Sequence, residues 1–245
     1  MAEFVYRPVI RTALTAFRLL DLRIGIEGAD RVPRTGGAVL VANHVSYLDF
    51  VFAGLAALPS GRLVRFMAKK EVFAHPVSGP LMRGMRHIPV DRSAGANAFQ
   101  AAVRALEAGE VVGNFAEATI SRSFTVKDIK NGPIRMAAEA GVPLIPVALW
   151  GGQRLWTKGR PRRLLQRHVP ITILVGEPTH PAPGDDVAEL TADLRRRMSA
   201  LLDEAQRAYP EQPKGVWWQP AHLGGTAPTP EEAAALDAEG RRRKA

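Results

Sequence analysis

Short apolar runs recur along this chain, each separated from the next by a stretch whose apolar residues fall at helical spacing, and that alternation restricts the fold more than any other feature. Ala38–Ala42 (AVLVA), Leu63–Ala68, Val111–Phe115, Leu144–Leu149 and Val169–Val175 read as strands, with shorter ones at Arg23–Ile26 and His87–Val90. Tyr47–Leu58, Ala94–Ala108, Ile134–Ala140 and Asp186–Ala205 read as helices; in the last, Val187, Leu190, Leu194, Met198, Leu201 and Ala205 form one apolar stripe. Strands interleaved with helices predict an α/β fold, a mostly parallel central sheet flanked by helices.

A further helix is predicted ahead of the sheet. Pro8 suits its first position, and Val9, Ala13, Phe17 and Leu20 share one side while Arg11 and Arg18 share another. Such a basic amphipathic helix fits either a lipid interface or the domain core. After Tyr209 the periodicity dissolves into a Pro- and Gly-rich stretch holding Trp217 and Trp218, for which core packing is expected. Thr229-Pro230-Glu231-Glu232 then has the pattern of a helix start, but no apolar face follows. The organisation expected over 245 residues is therefore an N-terminal amphipathic helical segment at 1–22, an α/β domain at 23–209 and a partly disordered extension at 210–245.

Composition removes several chemistries. Without cysteine there is no disulfide, thiol nucleophile or thiolate metal site, and the six histidines are scattered rather than set at ligand spacing, so no metal site is expected. No phosphate-binding P-loop, dinucleotide fingerprint, serine-nucleophile elbow or zinc-protease motif is present. The apolar stretch Ala140–Gly152 is interrupted by Pro143 and Pro146 and falls short of the ~20 residues of a spanning helix. The first residues do not read as a secretory signal, which leaves the cytoplasm as the expected location. The net charge of +9 is concentrated in two places. One is Arg154–Arg167, with Arg154, Lys158, Arg160, Arg162, Arg163 and Arg167 and no acid; the other is Arg62–Arg92. Anionic partners follow, and few aromatics are interleaved with the cations, which argues for a membrane surface or phosphorylated substrate over nucleic acid.

The residues best placed for chemistry follow the strand Ala38–Ala42, in Asn43-His44-Val45-Ser46-Tyr47-Leu48-Asp49. A histidine leaves a strand end and an aspartate follows five residues later near a helix start, where α/β folds place ligands. An aspartate accepting from one ring nitrogen would leave the other as a base, with either Ser46 or the hydroxyl of an acceptor as the group deprotonated. The spacing alone equally fits a capping aspartate and a core histidine.

The wider pattern decides. His44 through Asp49 resembles the His-x4-Asp block of the glycerophospholipid acyltransferases, the family of 1-acylglycerol-3-phosphate acyltransferases, and further blocks follow in that family's order. Ala68-Lys69 and Pro76, then Gly84 to Ile88-Pro89-Val90-Asp91-Arg92, resemble the second block; Phe115-Ala116-Glu117-Ala118-Thr119 resembles the third, usually F-P-E-G-T-R. Lys130 and Gly132 match a basic-x-Gly step, and Val142–Val147 resembles the fourth block. The resemblance implies transfer of a fatty acyl group from an acyl-CoA or acyl-carrier-protein thioester, as co-substrate and without further cofactor, to a lysophospholipid hydroxyl in phospholipid biosynthesis or remodelling, with peripheral contact at the cytoplasmic membrane face. It makes His44 the general base, Asp49 its orienting partner, Lys69 and Arg92 binders of acceptor phosphate, and Glu117 and Thr119 parts of the acceptor site. Backbone N–H groups just after His44 are the expected oxyanion donors. The third block departs at Ala116, Ala118 and Ile120; Arg122 is expected to serve the anion in place of the arginine missing at 120. The competing readings are a non-catalytic basic binding module and a thioesterase or lipid hydrolase.

Overall fold

The computed structural model describes residues 3–91 and 95–242. Seven strands form one sheet in the order β1 (Arg23–Glu27), β7 (Pro170–Val175), β6 (Leu144–Trp150), β2 (Ala38–Ala42), β5 (Val111–Asn114), β3 (Val64–Lys69) and β4 (Ile88–Val90). Neighbours are parallel except β6 and β7. The chain from 151 to 169 returns without an α-helix, and an antiparallel return needs none. The mostly parallel α/β expectation holds.

Position in the sheet explains strand composition. β2 and β6 are buried at every residue and read as continuous apolar runs, because helices cover both faces. β1, at the edge, alternates. Val39 and Val41 of β2 face a core shared with α5 (Gly95–Glu107), α6 (Gly132–Ala140) and α7 (Val187–Arg207); Ala38, Leu40 and Ala42 face the opposite core, against α2 (Asp49–Leu55) and Phe17 of α1 (Glu3–Leu19).

Four features add to, or depart from, what the sequence predicts. Pro8 lies inside α1, not at its start, because the residues before it are docked: Tyr6 is buried and its hydroxyl donates to the Val64 carbonyl at 2.7 Å. The apolar side of α1 is turned inward, Val9 and Ala13 lining a cavity and Phe17 stacking on Phe52 at 5.3 Å, so that stripe faces the domain. Two short helices, α3 (Lys70–Ala74) and α4 (Ser78–Gly84), fill a segment with no helical periodicity, and α2 is shorter than its apolar run. In the stretch after Tyr209, Trp218 is buried, as its expected core packing requires, and α8 (Pro230–Arg242), longer than its weak apolar pattern suggests, opens with Thr229 and Glu232 exchanging hydrogen bonds in a capping box. Among the described residues, no helix is long and apolar enough to cross a membrane.

Candidate active site

The parallel strands β2, β5, β3 and β4 end on the same side of the sheet, and ligands in open α/β sheets sit beyond the carboxyl ends of strands. His44 follows β2, Phe115 follows β5, Lys69 ends β3 and Val90 ends β4. Together with α3, α4 and the start of α6 they enclose a cleft of about 530 Å³. Its wall is mainly apolar, from Phe50, Phe66, Met67, Val72, Met82 and Phe115, with His44, Asn114, Lys69 and Lys130 as polar members. A smaller apolar cavity of about 140 Å³, between α1, α2 and β3, shares Phe50, Phe66 and His87 with the cleft. His87 is buried and its Nδ1 accepts from the Phe66 N–H at 3.0 Å; burial, then Arg65, push its pKa down to about 4, leaving an uncharged wall.

Asp49 lies behind His44, 1% exposed. Its Oδ2 takes three donors: His44 Nδ1 at 3.0 Å and the N–H groups of Val45 at 2.6 Å and Ser46 at 2.7 Å. Burial raises the Asp49 carboxyl above the usual range, opposed first by its bond to His44. With Nδ1 donating to that acceptor, Nε2 carries the ring's lone pair. The imidazole is part-exposed at 21% and stacks on Phe115 at 4.5 Å, one face fixed and one edge in the cleft.

The same bonds overturn the expected oxyanion donors. The N–H groups of Val45 and Ser46 are spent on Asp49, that of Tyr47 on the Trp156 carbonyl at 3.1 Å and that of Leu48 on Ser46 Oγ at 3.0 Å. Ser46 is no candidate acyl carrier either: it is fully buried and its hydroxyl donates to Trp156 O at 2.8 Å. Asn114 is the residue sequence reasoning missed. It lines the cleft beside Phe115, and its side-chain amide donates to the weak acceptor Met67 Sδ at 3.4 Å.

The remaining expected residues separate. Lys69 lines the cleft, joined by Lys130; Arg92 lies outside the described residues. Glu117 is buried behind the site, accepting the N–H of His44 at 2.9 Å and of Lys127 at 3.1 Å, and burial pushes its pKa up to about 8 against those bonds. It holds the backbone of His44 rather than lining the cleft. Thr119 Oγ1 accepts from Lys127 Nζ at 2.8 Å. Arg122 does not reach the cleft and donates to Asp237 at 3.2 Å. Ile120 enters the core instead of lining the cleft, and the chain bends over 122–125, where Phe124 takes a positive φ of 59° and Ser121, Ser123 and Thr125 bond among themselves.

An α/β sheet with a buried carboxylate behind a part-exposed histidine, opening on an apolar cleft at the strand ends, is an arrangement suited to general-base chemistry on an apolar substrate. Residues 23–150 match the model of the Acyltransferase family, and the chain belongs to that family. It is 28% identical over 191 residues to a 1-acyl-sn-glycerol-3-phosphate acyltransferase of Bacillus subtilis, an alignment covering 76% of this chain and 86% of that one. It is 34% identical to the enzyme of that name from Limnanthes douglasii, over 63% of this chain and 54% of the relative. The crystal structure of the 1-acyl-sn-glycerophosphate acyltransferase PlsC from Thermotoga maritima shares the fold, with a TM-score of 0.69 at 23% identity, over 86% of this chain and 83% of that one. The expectation of an O-acyltransferase is borne out.

Proposed function

We propose that this chain moves a fatty acyl group from a thioester of coenzyme A or acyl carrier protein to the hydroxyl of a lysophospholipid of the 1-acylglycerol-3-phosphate type, at the cytoplasmic face of a membrane. The observation that carries the reading is His44 Nδ1 held 3.0 Å from the buried Asp49 carboxylate, with the ring edge in an apolar cleft. Nε2 takes the acceptor's hydroxyl proton as that oxygen bonds to the thioester carbonyl carbon. Collapse of the tetrahedral intermediate breaks the C–S bond, and the departing thiolate receives the proton from the imidazolium. A positioned base contributes about 10²–10⁴ in rate. Asn114 donates to the developing oxyanion, and the amide's weak sulfur partner is easily exchanged for it. The acyl chain lies along Phe50 and Phe66 into the smaller cavity, and Lys69 and Lys130 pair with the acceptor phosphate.

The names of the relatives and the two lysines support this acceptor class. One assay tests it: purified protein, one acyl thioester and a mixed pool of lysolipids, with products identified by mass. Acylated 1-acylglycerol-3-phosphate is the expected main product; free fatty acid alone would make the chain a hydrolase.

A further inference from the structure

We infer that Asp237, on α8 and far outside the matched residues 23–150, is a positioning residue for His44. The inference rests on His44 being the base.

Residues 43–49 are gripped by two loops. From one side, Glu117 Oε1 accepts the His44 N–H at 2.9 Å and the Ser121 N–H donates to the His44 carbonyl at 2.7 Å. From the other, Thr157 Oγ1 donates to the Val45 carbonyl at 2.6 Å, and the Trp156 carbonyl accepts from Ser46 Oγ at 2.8 Å. The Asp237 carboxylate ties the two grips together. Its Oδ2 accepts from Lys127 Nζ at 2.9 Å, and its Oδ1 from Lys158 Nζ at 2.6 Å and Arg122 Nε at 3.2 Å.

Each cation sits next to the grip it serves. Lys127 gives its own N–H to Glu117 Oε2, Arg122 follows Ser121, and Lys158 follows Thr157. Asp237 is 7% exposed while the three cations are 22–31% exposed, so one buried anion gathers three positive groups that otherwise repel. Removing its charge frees both loops, and the imidazole loses its aim while the cleft that binds substrate keeps its walls. Small misplacements of a catalytic group are costly in rate.

The test compares Asp237→Asn, Asp237→Glu and the exposed α8 control Glu231→Gln, reading kcat, KM for the lysolipid, the thermal midpoint, and hydrogen exchange over residues 43–49. For Asp237→Asn, kcat falls at least about tenfold with KM within about twofold, and exchange over 43–49 rises while that of β6 stays unchanged. Asp237→Glu recovers part of the rate, and Glu231→Gln matches the parent. If Asp237→Asn does not fold, Lys158→Met, which loosens one grip alone, must lower kcat in the same way. An unchanged kcat or unchanged exchange over 43–49 overturns the inference, as does a loss carried wholly by KM. His44→Ala is run beside them: full activity there sinks the base assignment, whereas an inactive His44→Ala beside a fully active Asp237→Asn sinks only the role of Asp237.

Discussion

Ala118 holds a backbone conformation that favours glycine, with φ of 59°, at the position where the family pattern has glycine. A Cβ in the left-handed region is unfavourable, so Ala118→Gly is expected to raise stability by about 1 kcal/mol, read from the denaturant midpoint. A lowered midpoint contradicts this. Glu117 gives a pH signature. The unfolded carboxyl loses its proton near 4.5 and the native one near 8, so between those values the native state binds more protons and stability falls as pH rises. Glu117→Gln removes that slope: relative to the parent, the variant gains stability between about pH 5 and pH 8 in urea titrations, and a parallel pair of curves refutes the assignment. His44 and Asp49 were legible because their spacing at a strand end and helix start is followed by further blocks in the order of the acyltransferase pattern. Asn114 was not, since a single amide at a strand end belongs to no pattern, and the destination of Arg122 depends on a partner 115 residues away.

Strands were legible because burial on both faces writes them as apolar runs, and α5 and α7 because their stripes are long. The pair α3 and α4 was not legible. Each is shorter than a stable isolated helix, and the turn between them relies on close approach: a side chain at Gly79 would collide with the Phe73 carbonyl. Likewise α8 has no strong apolar face, and what ties it down is the Asp237 carboxylate, invisible to periodicity. α2 offers a direct probe of the acyl route. A Cβ at Gly54, which lines the smaller cavity, meets Phe66 at an ordinary 3.7 Å, so a larger side chain fills space rather than breaking the helix. Gly54→Val is expected to shift preference toward shorter acyl chains when thioesters of mixed length compete, and an unaltered product profile contradicts that route.

Across the whole molecule, the basic run divides between packing and surface. The Arg154 guanidinium lies 4.6 Å from the Trp218 ring and pairs with Glu211 at 2.9 Å, and Lys158 is held by Asp237. Arg163 and Arg167 stay exposed around Leu165, itself 85% exposed. That surface fits anionic lipid, each cation contributing about 1 kcal/mol. Binding to anionic vesicles is therefore expected to weaken with salt and to fall about fivefold for Arg163→Ala or Arg167→Ala; salt-independent binding contradicts it. On the proposed function, the sheet, the cleft and the C-terminal helix would together present one imidazole to an acceptor beside a thioester. Single-turnover acyl transfer by folded His44→Ala protein, measured beside the parent, tests that arrangement. The account predicts a rate lower by about 10²–10⁴ with substrate binding retained and no acylated protein formed. Transfer at close to the parent rate would contradict it.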